Sequence, residues 1–388
     1  MRALPTILLT TLMGFSAALP AQTRDENWKR CAGSEPDLGI GGCTLLIQSG
    51  QETDTNLVIA FTNRGNDYRN KGEDDRAIED YDQAIKLNPN NADSFLGRGK
   101  VYFHKKEYDR AIQEYDQAIK LNPNSVFALC ARGQAYADKG DFDRAIQDYD
   151  QAIKLDPSYS AAFNNRGNAY SAMAKYDLAL KDYDQLLKLV PDSASAFNNR
   201  GNAYLRMGHY QRSIPEFNQA IKLKPNFLNA FRGRAAAYFY LGQFDEAEPD
   251  FAAALKTTPT DGYSALWLYV TQSRAGKNAR ATLEQDAGQI DRMAWPGPLV
   301  DFFLGKTTPA AVLALAADPN PHEDNSHHCE AYFYLAENAL KQGRRSEAKR
   351  LLQQSIDTGA IWELQYAAAE EELKRLQPAR VAQAPQAH

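Results

Sequence analysis

Prolines stand at Pro89, Pro123, Pro157, Pro191, Pro225 and Pro259, and every interval is 34. The same spacing carries Tyr68, Tyr102, Tyr136, Tyr170, Tyr204 and Tyr238, and a small-residue slot at Gly65, Gly99, Gly133, Gly167, Gly201 and Ala235. A second aromatic slot runs through Tyr81, Tyr115, Tyr149, Tyr183, Phe217 and Phe251, and a further small slot through Ala77, Ala111, Ala145, Ala179, Ser213 and Ala247. One period held by so many residue types dictates a stack of like units, because a single unit of this size cannot bury its own apolar face.

Each unit reads as two helices. Phe163, Gly167 and Tyr170 are spaced along one face of the first, and Ala145, Tyr149 and Ala152 along one face of the second. Gly72, Gly140, Gly208 and Gly242 mark the turn between them, and the proline ends the second helix. Asp75, Asp109, Asp143, Asp177 and Asp245 are expected to cap the second helix by accepting from free backbone N–H groups. Pro215 and Pro249 fall early in two second helices, where a slight distortion is expected.

These slots closely resemble the tetratricopeptide repeat (TPR), over about residues 58–261. The resemblance implies an all-α, right-handed α-solenoid of about six regular helix pairs, with the first helix of each lining a concave binding surface. A Cys-containing cap at 22–57 precedes the array. A degenerate TPR-like region at 262–376, closed by a capping helix, and a disordered tail at 377–388 follow it.

Polar residues inside the repeat need an account. The arginine slot Arg64, Arg98, Arg132, Arg166, Arg200 and Arg234 falls one turn after an aromatic or apolar residue (Phe61, Phe95, Leu129, Phe163, Phe197, Phe231) taken as buried. An unpaired charge there is costly. The second helices carry Asp80, Glu114, Asp148, Asp182, Glu216 and Asp250 in register, so internal ion pairs that fix the stacking are expected. The alternative is an arginine ladder reading a carboxylate partner. The octet FNNRGNAY occurs at 163–170 and again at 197–204. Its Asn164, Asn168, Asn198 and Asn202, with Asn66 and Gln134 in other copies, are candidates to bond the backbone of an extended peptide, since a carboxamide both donates and accepts. Phe103, Leu205 and Tyr240 would add apolar contact, and Lys100, Arg206 and Arg232 are the inward basic candidates. Asparagines bonded to one another and to water account for the pattern equally well.

Residues 1–21 have one early Arg, an apolar run from Ile7 to Leu19 and small residues after it, the layout of a cleaved signal peptide. Cleavage is expected after Ala18 or Ala21. An exported, periplasmic protein follows, with no stable membrane insertion after cleavage. In an oxidising compartment Cys31 and Cys43 read as a local disulfide in a short Gly-rich segment. Beyond the array, Trp267, Trp295 with Phe303-Leu304-Gly305, Glu330 before Phe333-Tyr334-Leu335, and Trp362-Glu363 before Glu372-Leu373 resemble the C-terminal half of NlpI-type bacterial periplasmic TPR lipoproteins. That resemblance implies an adaptor role in envelope proteolysis or cell-wall enzyme regulation. The lipid-acceptor Cys of those relatives is missing here. Residues 329–356 read as one more degenerate repeat.

The formal net charge is −5, with Lys and Arg interleaved among Asp and Glu, which argues against nucleic-acid binding. No phosphate-cradling loop, G-x-S-x-G, HExxH or Cys-x-x-Cys occurs, so a non-catalytic scaffold without cofactor or metal is expected, binding other proteins or extended peptides. The oligomeric state is not set by the sequence. A second reading is metal or small-molecule binding by the polar loop expected at 322–330, where His322, His327 and His328 stand beside Glu323, Asp324 and Cys329. A third is a cytoplasmic co-chaperone.

Overall fold

Within each regular pair, a ring on the second helix presses against a glycine of the first. A Cβ placed on Gly99 would come within 2.6 Å of the Tyr115 ring, and one on Gly133 or Gly167 within 2.7 Å of Tyr149 or Tyr183. The glycine slot is therefore a close approach of two helices, and the ring fills the space. Tyr81, Tyr115, Tyr149, Tyr183, Phe217 and Phe251 are all buried.

The computed structural model describes residues 23–377, which are helical with no strand among them. The expected signal peptide at 1–21 and all of the expected tail after Gln377 lie outside the described residues. The chain divides into two compact units, one ending at Asp156 and the other starting at Pro157.

The first unit begins with α1 (Arg24–Cys31) and α2 (Pro36–Gln48), joined by the Cys31–Cys43 disulfide. The Gly-rich segment that carries the two cysteines is thus a helix pair. Thr23 and Glu26 form a reciprocal cap at its start. Three regular pairs follow: α3 (Asp54–Asn70) with α4 (Asp74–Leu87), α5 (Ala92–His104) with α6 (Tyr108–Leu121), and α7 (Val126–Asp138) with α8 (Phe142–Leu155). Their cores are small, for example Tyr68, Ala77, Tyr81 and Val101.

The second unit continues with α9 (Ser160–Ala172) and α10 (Tyr176–Leu189), α11 (Ala194–Arg206) and α12 (Tyr210–Leu223), and α13 (Leu228–Tyr240) and α14 (Phe244–Thr257). The irregular part comprises α15 (Gly262–Arg274), α16 (Ala279–Asp286), α17 (Gly297–Phe303), α18 (Pro309–Ala316), α19 (Pro321–Lys341), α20 (Arg345–Asp357) and α21 (Leu364–Leu376). It shares one large core. Trp267 sits at its centre, stacked on Phe251 at 5.6 Å and edge-on to Phe239 at 5.1 Å, with Phe333 at 5.3 Å. Among the described residues no helix is long and apolar enough to cross a membrane.

Three expectations are corrected. The second helices start earlier than expected, with N-caps at Glu73, Glu107, Asp141, Lys175 and Gln243. Asp75, Asp109, Asp143, Asp177 and Asp245 therefore lie in the first turn, where a carboxylate faces the positive end of the helix dipole without capping it. The polar loop at 322–330 is instead the start of α19: the Asn320 side chain accepts from the His322 N–H, and Pro321 opens the helix. Most of the aromatic residues before the arginine slot are only half-buried, and a guanidinium covers part of each ring, as with Arg64 over Phe61 at 5.6 Å and Arg200 over Phe197 at 5.5 Å.

Candidate functional site

Each arginine of the slot meets the acid of its own pair. Arg64 bonds Asp80 at 2.7 Å, Arg98 bonds Glu114 at 2.8 Å, and Arg132 bonds Asp148 at 2.6 Å. In the second unit Arg166 bonds Asp182 at 2.6 Å, Arg200 bonds Glu216 at 2.8 Å, and Arg234 bonds Asp250 at 2.6 Å. A second acceptor comes from the preceding pair: Asp82 for Arg98, Asp116 for Arg132, Asp184 for Arg200 and the Asn218 side-chain Oδ1 for Arg234. That slot also recurs at the repeat period, and sequence reasoning passed over it as ordinary helix surface. Burial pushes the carboxyls of Asp80, Glu114, Asp148 and Glu216 above the usual range, with the arginine hydrogen bonds pulling the other way.

A second arginine series was missed for the same reason. Arg76 and Arg110 donate to Tyr68 and Tyr102 at 2.5 and 2.7 Å. Arg144 lies over Tyr136 at 4.4 Å. The signal was there, since the three stand one period apart.

The asparagines divide by role. Asn66 and Asn168 accept from the phenols of Tyr81 and Tyr183, both at 2.9 Å. Asn199, which was not singled out from sequence, donates to Asn168 at 3.1 Å and to Asn164 at 3.3 Å, joining two successive first helices. Asn198 is corrected: it is 4% exposed, so it offers nothing to a partner. Asn202 lines an open groove. In the first unit Gln134 donates to Asp138 at 2.8 Å, and the Phe103 ring packs on Tyr108 at 5.6 Å. Lys100 is half-buried, and desolvation lowers its pKa.

Two further groove candidates, Leu205 and Tyr240, are corrected, and a third, Arg206, lines the open groove but spends donors on the chain's own backbone. Leu205 is 4% exposed and Tyr240 3% exposed. Arg206 donates to the backbone carbonyls of Ile361 at 3.1 Å and Glu363 at 3.3 Å, and also to that of Trp362. The Tyr240 hydroxyl donates to the Leu364 carbonyl at 2.7 Å. The chain's own segment 361–364 therefore occupies this end of the repeat surface. The α21 helix then continues over α13, where Arg375 donates to the carbonyls of Phe239 and Tyr240. Arg232 is likewise taken, by Asp261 and by the Ser264 hydroxyl at 3.1 Å.

What stays open is a groove of about 590 Å³ in the second unit. Asn168, Asn199, Asn202 and Asn229, from α9, α11 and α13, give it a carboxamide wall. Ile361, Trp362 and Leu364 give it an apolar wall. Trp362 is 39% exposed, with its indole N–H bonded to Ser326 at 2.7 Å and its ring stacked on His322 at 4.3 Å. Such a groove can bond a peptide backbone on one side and pack a side chain on the other.

The three imidazoles of α19 go to different partners. His322 stacks on Trp362 and His327 on Trp295, while a His328 ring nitrogen lies 2.9 Å from the Asp324 carbonyl. Among the described residues no group of three or more His, Cys, Asp or Glu is placed to hold a metal ion.

Comparison with known families places repeats along most of this architecture. The family described as "TPR repeat" matches residues 65–106, 99–140 and 133–173. Families described as "Tetratricopeptide repeat" match 164–226, 198–262 and 330–358. Together they cover more than half of the chain, and the last is the α19–α20 pair. Among solved structures, a tetratricopeptide repeat protein from Parabacteroides merdae is 18% identical, with a TM-score of 0.51 over 64% of this chain and 96% of that one. The pilF protein of Pseudomonas aeruginosa is 17% identical, with a TM-score of 0.50 over 57% of this chain and 99% of that one. A MamA protein is 26% identical, with a TM-score of 0.40 over 44% of this chain and 93% of that one.

Proposed function

The chain belongs to the tetratricopeptide repeat proteins, and from that premise we propose that it is an exported adaptor capturing extended peptide segments in the groove of its second unit. Repeats of this family make protein-interaction scaffolds. The observation that carries the finer reading is the pairing of two unlike walls, carboxamides from three successive repeats and the exposed Ile361–Trp362 apolar edge. The grip of Arg206 on three consecutive backbone carbonyls supports it, since this surface already holds one irregular segment by its main chain.

The envelope assignment rests on the N-terminal apolar run, on the resemblance of the C-terminal half to periplasmic adaptors, and on the Cys31–Cys43 disulfide. The role is scaffolding without catalysis. Within that role the partner is a polypeptide presenting an extended stretch with at least one apolar side chain.

A peptide library screened against the full chain by fluorescence polarisation tests the groove. Asn199→Ala with Asn202→Ala should weaken the selected peptides about tenfold, as expected for the loss of one or two backbone hydrogen bonds. Unchanged binding in a folded double variant would place the binding surface elsewhere. Export is tested separately by N-terminal sequencing of protein from fractionated cells. A chain starting just after Ala18 or Ala21 in the envelope fraction supports it, and an intact Met1 in the cytosol overturns it.

A further inference from the structure

A second cavity of the same unit lies between α14, α15, α19 and the residues leading into α21. We propose that this cavity binds a cationic group, a primary ammonium or a guanidinium carried on a short aliphatic stem. The proposal does not rest on the peptide-binding reading. The cavity holds about 260 Å³. That is below the range usual for cofactors and drug-sized ligands and suits a single side chain or a small amine.

Its lining decides the charge of the ligand. Phe251, Tyr263 and Trp267 supply aromatic surface, Glu330 lies deep at 2% exposure, and the more exposed Glu323 and Glu363 also line the cavity. Aromatic faces beside carboxylates attract a desolvated cation through the ring quadrupole and through charge-assisted hydrogen bonds. Arg232 also borders the cavity, but its charge is met by Asp261. Three carboxyl groups therefore remain with no Lys or Arg bound to them in an ion pair. Glu323 has only imidazoles in ion-pair reach, His322 and His327, each at 3.9 Å.

Glu330 gives the site a proton signature. The Trp295 indole donates to its carboxylate at 2.5 Å. Burial, opposed by that bond and reinforced by Glu363, pushes the carboxyl up to about 8. The groups around it are Tyr263 on α15, Tyr334, His327 and Glu323 on its own helix, Arg232 on α13, and Glu363 ahead of α21. Near neutral pH the empty cavity thus carries the Glu330 proton, and an entering cation releases it. Affinity for the cation should rise with pH until Glu330 is ionised in the free protein.

The test is calorimetric titration of the full chain with agmatine and with the N-acetyl methylamide of lysine, against the neutral methylamide of N-acetylnorleucine. Trp267 and Trp295 fluorescence gives a second readout. Both cations should bind at least about tenfold more tightly than the neutral probe. Affinity should climb between about pH 6 and 8, the range below the Glu330 midpoint. Glu330→Gln should cost about tenfold and flatten that climb. Should that variant not fold, Glu363→Gln, at a more exposed position, should weaken both cations without unfolding. Tighter agmatine than lysine amide points to free amines as the source of the ligand, and the reverse to basic side chains of a polypeptide. Equal binding of the neutral probe, no binding of either cation, or cation binding unchanged by folded variants overturns the proposal.

Discussion

Arg132 bonds two acids of unequal exposure, and its pair tests what such contacts are worth. Asp148 is buried and holds the guanidinium by two bonds, whereas Asp116 is about half exposed and accepts one. Asp148→Ala takes two of three bonds from a largely buried cation and should cost ~3 kcal/mol. Asp116→Ala should cost less than ~1 kcal/mol. Urea denaturation of the two variants checks the order, and equal effects would mean the internal pair does not hold the repeat. At this scale the arginines were readable because both partners repeat in register. The asparagines were not, since FNNRGNAY is the same word twice. At the slot of Asn164 the next copy carries Asn198, but at the slot of Asn198 it carries the longer Arg232, so equal words meet unequal neighbours.

At the scale of the element, the turn inside each pair needs one left-handed residue. Gly72, Gly140, Gly208 and Gly242 occupy it at φ of 74°, 82°, 75° and 75°. The same place in two other repeats holds Lys106 at 61° and Ala174 at 55°. A side chain there costs ~1–2 kcal/mol, part of which glycine gives back as lost unfolded-state restriction. Lys106→Gly and Ala174→Gly should each stabilise the chain by about 0.5–1 kcal/mol in thermal or denaturant unfolding. Pro215 lies inside α12, where it removes a helical hydrogen bond yet leaves the helix at the same 14 residues as its counterparts. Pro215→Gln, the residue at the equivalent Gln147, should stabilise by about 1–3 kcal/mol. The start of α19 shows why an element can be misread. DPNPHEDNSHH is loop-like in composition, but Asn320-Pro321 followed by Glu323 and Asp324 is a helix start, and those few positions outweigh the average.

For the whole molecule, pH acts through buried acids, most strongly through two of the second unit. Burial raises Glu330 to about 8 and Glu337 to about 7, the latter despite its contact with Arg274. Both groups keep their protons in the folded chain at pH values where the unfolded chain has already released them. Stability therefore falls as pH rises from near the ordinary carboxylate range, about 4.5, towards 8, and the loss ends once both are ionised in either state. The melting temperature should drop across that window and Glu330→Gln should reduce the drop; a flat profile in the unsubstituted chain refutes it. The periodic part of the molecule was legible because its packing and ion-pair contacts recur at one spacing. The fold-back of 361–364 onto Arg206 was not, because it joins residues some 155 positions apart with no local pattern to announce it.

The stretch YDQAIKL stands unchanged at 81–87, 115–121 and 149–155, and Arg98 and Arg132 each reach back to the pair before their own. An in-frame loss of residues 92–125 would join Asn91 to Val126 and bring Arg132 to Asp82, which holds the place of Asp116 in register. A loss of one whole period here would thus leave the pairing scheme intact. This stretch therefore behaves as a chain of interchangeable links, whereas Trp267 and its surroundings share one core with no such period to cut along.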